Sequence, residues 1–211
     1  VKSLTKPIIL ALLISVFPIG NYYFFQFQHG LSYAWGLFPG DISHFQGVFL
    51  MPLVHKDFAH LWGNTLQLFL GILLIAVHFR HLTSVILLSI WIMAGLLLFF
   101  IGNKGTIHIG SSGFIYGIFS YLITAGFNAG NRRLRLLAFM LLMYYGSMIW
   151  GLFPWQEKVS WEGHLSGAIA GFVMAAILRK PYRRFTRDSK PGWFMDADSR
   201  VDPYARFDKR V

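Results

Sequence analysis

Six stretches of this chain, near residues 7–26, 59–79, 83–102, 110–128, 135–153 and 161–178, are free or almost free of charge. Each is about 20 residues long, the length of helix that crosses a bilayer's hydrocarbon core. Backbone in lipid must satisfy its own hydrogen bonds, which leaves helices as the economical solution for apolar runs of this length. The pattern predicts an all-α, polytopic membrane protein, a bundle of six transmembrane helices. Charged residues make up 13% of the chain, whereas a soluble domain carries roughly 25%. One membrane domain over residues 1–180 accounts for the windows, and residues 181–211 read as a basic cytosolic C-terminal tail at the lipid surface. The last window is the shortest, with its uncharged residues lying between Glu162 and Arg179. Trp155 and Trp161 at one interface and snorkelling basic residues at the other make it long enough. Residues 7–26 are too long for a signal-peptide core and lack a small-x-small cleavage pattern, so a retained span is expected.

The loops alternate in charge. Lys2, Lys6, Arg80, the Arg132-Arg133-Arg135 cluster and the run from Arg179 to Arg187 fall on one side, and Lys56, Lys104 and Lys158 on the other. The positive-inside rule puts both termini in the cytoplasm, with a bacterial inner (plasma) membrane as the expected home. The net charge of +10 does not point to nucleic acid, because the basic residues sit between spans and in the tail rather than along one face with aromatics. Without cysteine there are no disulfides, thiolate metal sites or cysteine nucleophiles. The first connection, about residues 27–58, is rich in Phe, Gly and Pro and is expected to lie partly in the membrane interface.

Strongly polar residues inside spans are costly, and they gather here at one level. The second window opens with His60 and Asn64, the fourth with Ser111 and Ser112, the sixth with His164. Counted back from Arg80, Arg132 and Arg179 at 1.5 Å per residue, these groups all lie roughly 22–30 Å above the cytoplasmic boundary. His60 and Asn64, spaced i, i+4, share a helix face. Gly113 and Gly117 form a GxxxG on the fourth span, and Gly163, Gly167 and Gly171 a longer stripe on the sixth; such stripes let backbones approach closely in lipid. Packing along them would bring Ser112 within reach of His164.

A serine–histidine pair is the minimal activated nucleophile. Glu162, two residues before His164, is expected at the water boundary, which makes the pair a dyad rather than a triad. His60 and Asn64 would then serve as oxyanion donors, each worth about 3 kcal/mol. Each residue alone has a plainer role: a serine bonding back to its own helix, an interhelical asparagine, interfacial histidines. Their common depth on glycine-lined helices favours catalysis. There is no HExxH, no aspartate inside a span, and Phe114 stands where a GxSxG elbow needs glycine. His29, His44, His55, His78, His81 and His108 lack nearby carboxylates or ligand-like spacing and read as interfacial. No metal or other cofactor is expected.

From about His55 to Ala175 the chain resembles the rhomboid family of intramembrane serine proteases. "HLWGN" is similar to that family's HxxxN, "GSSG" to its GxSG and "HLSGAIAG" to its HxxGxxxG. The resemblance implies Ser112, not Ser111, as the nucleophile and His164 as general base and acid. It also implies an oxyanion site of His60, Asn64 and the Ser112 backbone N–H, shaped by Gly110, with Tyr116 stacked on the imidazole. It implies a serine at the floor of a water-filled cavity open to the outside, with residues 102–111 as a loop dipping into the membrane. Single-span membrane proteins would be the substrates, entering past the fifth helix and its loop. In place of the Trp-Arg pair of many members stand Gln46-Gly47. Two other classes fit the sequence less well: an inactive rhomboid-like protein that binds membrane helices, which typically lacks the serine or the histidine, and a small transporter, which would place its polar groups near the midplane.

Overall fold

The computed structural model describes residues 4–27, 33–129, 131–155 and 159–179. The architecture is all-α: α1 (Thr5–Phe27), a short α2 (Gly47–Leu50), α3 (Phe58–His78), α4 (Thr83–Ile101), α5 (Ser112–Asn128), α6 (Arg132–Tyr145) and α7 (Trp161–Ile177). Among the described residues the β pairing is limited to an isolated antiparallel bridge between Leu37 and His108. His29 and the tail assigned to residues 181–211 lie outside the described residues.

Local chemistry sets the helix starts. Asp57 caps α3 by accepting the His60 N–H at 2.7 Å, and that bond holds its carboxyl below the usual carboxylate range. Asn131 caps α6 through the Arg133 N–H at 2.9 Å. α5 and α7 start behind Ser111 and Ser160, but neither hydroxyl caps its helix.

α5 is the axis of the bundle. Its Ile115, Ile118, Tyr121 and Leu122 are fully enclosed by α3, α4, α6 and α7, against Ile72, Ile75, Ile86 and Ile90. In lipid the hydrophobic effect does not separate inside from outside, so cohesion rests on close packing. The glycine stripes supply it where α5 meets α7. A Cβ on Gly167 would stand 1.8 Å from the Gly113 carbonyl oxygen, and one on Gly171 2.0 Å from that of Gly117. The outer faces are apolar as well: Leu13, Phe17, Phe100 and Tyr144 are largely exposed, as lipid-facing side chains are.

Thr5–Phe24, Phe58–His78, Thr83–Ile101 and Arg132–Leu152 are long and apolar enough to cross a membrane. α5 and α7 have 17 residues each, about 25 Å of helix against a hydrocarbon core of about 30 Å.

The structure departs from the sequence expectations in four places. The fifth window is not one helix, because α6 ends at Tyr145 and a 3₁₀ segment follows over Gly146–Leu152. Gly146 and Gly151 weaken the α-helix there, and the tighter winding turns the Met148 and Gly151 carbonyls toward other helices. The fourth window, taken as 110–128 from its lack of charge, becomes helical only at Ser112, which agrees with the loop over residues 102–111 that the resemblance implies, and Gly110 takes φ +102° just before it. Glu162, expected at the water boundary, is 7% exposed. His55 and His108, expected at the interface, are 1% and 5% exposed.

The described part of the first connection is built. Leu37, Val48 and Met51 pack on Leu98 and Phe99 of α4. Gly47 sits so close to the backbone of residue 36 that a Cβ would meet the Gly36 carbonyl oxygen at 2.2 Å. Gln46 donates to the Ala34 carbonyl at 3.4 Å. At positions 46 and 47 the loop is thus held by backbone contact and a single amide.

Candidate active site

The crossing of α5 and α7 brings Ser112, first residue of one helix, beside His164, one turn into the other. Ser112 Oγ lies 2.9 Å from His164 Nε2. The other ring nitrogen fixes the tautomer: Nδ1–H donates to the Gly151 carbonyl at 2.9 Å, so Nε2 is left to accept the serine O–H. The orienting group is therefore a backbone carbonyl of the 3₁₀ segment, and among the described residues no carboxylate bonds to the ring. Tyr116 stacks flat on the imidazole, with centroids 4.1 Å apart and planes 10° from parallel, and its hydroxyl donates to the Met148 carbonyl at 2.7 Å. His164 is 8% exposed, enclosed but reachable.

His60 and Asn64 project from α3 toward Gly110. A Cβ on Gly110 would lie 2.8 Å from His60 Nε2 and 3.5 Å from Asn64 Nδ2, so the missing side chain leaves the space those groups face. His60 Nδ1 and Asn64 Nδ2 are buried with no hydrogen-bond partner among the described residues. A buried polar group in that state costs about 1–3 kcal/mol, and for Asn64 Nδ2, which faces the space beside Gly110, a site awaiting an anionic or carbonyl oxygen explains the expense. The Gly110 N–H is held by the Met51 carbonyl at 2.9 Å.

Sequence reasoning missed His55. Its Nε2 faces the Ser111 N–H at 3.5 Å and the Ser111 hydroxyl at 3.4 Å, and its ring packs edge-on against His60 with centroids 5.0 Å apart. Burial holds the ring's pKa down to about 4, assisted by His60, so it is neutral and Nε2 can accept. The Ser111 hydroxyl is thus occupied behind the site, whereas that of Ser112 faces His164. His108, also missed, bonds to Ser160. These partners are hydroxyls 56 and 52 residues away in the chain, a separation at which spacing rules carry no signal.

The family model of the Rhomboid domain matches residues 42–181, a wider stretch than the sequence motifs alone mark out. Uncharacterized proteins of Mycobacterium tuberculosis and Mycobacterium bovis are each 35% identical over 161 residues, covering 71% of this chain and 65% of theirs. One from Mycobacterium leprae is 34% identical over 146 residues, covering 65% of this chain and 58% of its own. The chain thus spans less than two thirds of the length of these curated relatives.

Proposed function

The chain belongs to the rhomboid family, and from that premise we propose that it is an intramembrane serine endopeptidase working through a Ser112–His164 dyad. The observation that carries the proposal is the 2.9 Å contact between the two side chains, with the imidazole's far nitrogen already committed to the Gly151 carbonyl. His164 takes the proton of Ser112 as Oγ attacks the scissile carbonyl carbon. The oxyanion that forms accepts from His60, Asn64 and the Ser112 backbone N–H. His164 then hands its proton to the leaving amine as the C–N bond breaks. Water, activated by the same ring, hydrolyses the acyl-enzyme and restores Ser112. Tyr116 keeps the imidazole in plane, and Gly110 keeps the oxyanion space empty. No cofactor enters these steps.

In this reading α5 and α7 also cross the membrane, giving six spans, with both termini cytoplasmic. The dyad opens to a water-filled cavity toward the outside, which admits the hydrolytic water. Substrates are single-span membrane proteins whose helix unwinds near the outer face and enters past α6 and the segment that follows it. Residues 1–180 form the membrane domain and residues 181–211 the tail.

The test uses the full chain in liposomes, wild type against Ser112→Ala. It follows covalent labelling by a fluorophosphonate together with cleavage of a single-span reporter. Both should be present in the wild type and absent in the variant. A folded wild type that does neither would replace this reading with that of an inactive, helix-binding member.

A further inference from the structure

Ser160 occupies the N-cap position of α7, where a serine oxygen ordinarily accepts an N–H of the first turn. It makes no such bond and instead lies 2.5 Å from His108 Nδ1. His108 belongs to the loop that leads into α5, so a local cap has been given up for a contact between two elements. Both His108 and the neighbouring Glu162 are buried.

The proton positions follow from the bonding. The Thr106 hydroxyl donates to the Asn103 carbonyl at 2.6 Å, so toward His108 Nε2, 2.8 Å away, it acts as acceptor. Nε2 therefore carries the proton, and Nδ1 accepts from the Ser160 O–H. The ring is a neutral strut bonded at both ends. Its backbone is pinned as well, exchanging N–H and C=O bonds with Leu37 at 2.9 Å each. At the far end, the Ser160 carbonyl accepts the N–H of His164 itself at 3.1 Å. The Ser160 hydroxyl also fills the space beside Gly163, where a Cβ would come within 2.5 Å of it.

The placement matters because of register. His108 precedes Ser112 by four residues, and Ser160 precedes His164 by four. The glycine contacts hold α5 to α7 on the inner side of the dyad, and the His108–Ser160 bond holds their leading segments together on the outer side. With both in place, the Ser112–His164 distance is bracketed.

We propose that His108 and Ser160 are positioning residues, whose hydrogen bond fixes the loop delivering Ser112 against the start of the helix carrying His164. The inference rests on the protease reading above. Neither residue touches the reacting atoms, so their loss should slow the chemical step without weakening substrate binding.

The experiment compares Ser160→Ala, Ser160→Thr, His108→Ala and His108→Asn with wild type, each as the full chain in liposomes. It measures fluorophosphonate kinact and KI at Ser112, kcat and KM on a single-span reporter, and the thermal midpoint. The two alanine variants should lose about tenfold to a hundredfold in kinact and kcat, the scale of a sub-ångström to ångström misplacement. KI and KM should stay within about twofold. Ser160→Thr keeps the hydroxyl, and His108→Asn puts an amide oxygen where Nδ1 was; both should restore most of the rate. If His108→Ala does not fold, Ser160→Ala against Ser160→Thr decides alone. Alanine variants that react at the wild-type rate overturn the proposal and leave the protease reading intact. So do losses that the conservative variants fail to restore and that follow the thermal midpoint. A folded wild type that neither labels nor cleaves overturns both.

Discussion

Gly167→Ala should uncouple the dyad while leaving both of its residues in place. The added methyl would sit 1.8 Å from the Gly113 carbonyl oxygen, and ordinary contact begins near 3.4 Å. The two backbones must therefore retreat by about 1.6 Å at that point. Gly113 follows Ser112 directly and Gly167 lies three residues beyond His164, so the retreat occurs beside the proposed catalytic pair. Even half of it, added to the present 2.9 Å, carries Ser112 Oγ and His164 Nε2 past hydrogen-bonding distance. A misplacement of about 1 Å costs on the order of a hundredfold in rate, and overpacking costs about 1–3 kcal/mol of stability. Gly171→Ala meets a comparable overlap, 2.0 Å from the Gly117 carbonyl oxygen, one turn further from the dyad. It should lose similar stability and much less rate. Gly63→Ala, with nothing within 4 Å of the new methyl, serves as the unstrained control. The assay is the fluorophosphonate labelling rate of Ser112 beside the thermal midpoint, all in one lipid composition. Labelling of Gly167→Ala at the wild-type rate with an unchanged midpoint would refute the idea that the glycine stripe sets the dyad distance. Equal rate losses in Gly167→Ala and Gly171→Ala would show that stability alone is being read.

Gly110→Ala and Gly105→Ala form a second pair: both residues have positive φ, +102° and +87°, but only the first new methyl strikes anything, at 2.6 Å from His60 Cε1. Both should lose about 1–3 kcal/mol to backbone strain, and only Gly110→Ala should also lose about a hundredfold in kcat, the scale of a displaced oxyanion donor; equal kcat in the two would sink that assignment. His55 is held down to about 4 from an ordinary 6.5, mainly by burial, so between those values the unfolded chain takes up a proton that the folded one refuses. Its contribution is complete above pH 6.5 and falls away toward pH 4, by about 3 kcal/mol. Thermal midpoints over that range should drop more steeply for wild type than for His55→Gln, and parallel curves would contradict the buried neutral ring.

The windows were legible because lipid forces each spanning backbone to close its own hydrogen bonds, and that demand is written residue by residue. The motif residues were legible for a related reason: a polar group inside such a window has few neutral explanations. What stayed hidden depends on contacts between distant segments. Nothing around Gly146 says that the chain tightens there so that the Gly151 carbonyl meets His164, and nothing near His55 or His108 names Ser111 or Ser160 as partners. These hidden features are also the places where local rules are broken. Two serines stand at N-caps without capping, a helix narrows to 3₁₀ before its window ends, and four buried side-chain polar atoms, on His55, His60, Asn64 and Ser166, lack partners among the described residues. An unfilled cap, a tightened helix and a buried polar atom without a partner are each unfavourable, and such departures scattered at random would argue for a poorly specified fold. Here they converge around Ser112 and His164, on the faces of α3, α5 and α7 that meet. Local inconsistencies concentrated in one place are what a folded chain tolerates when that place has work other than stability. This convergence supports the site independently of the sequence motifs.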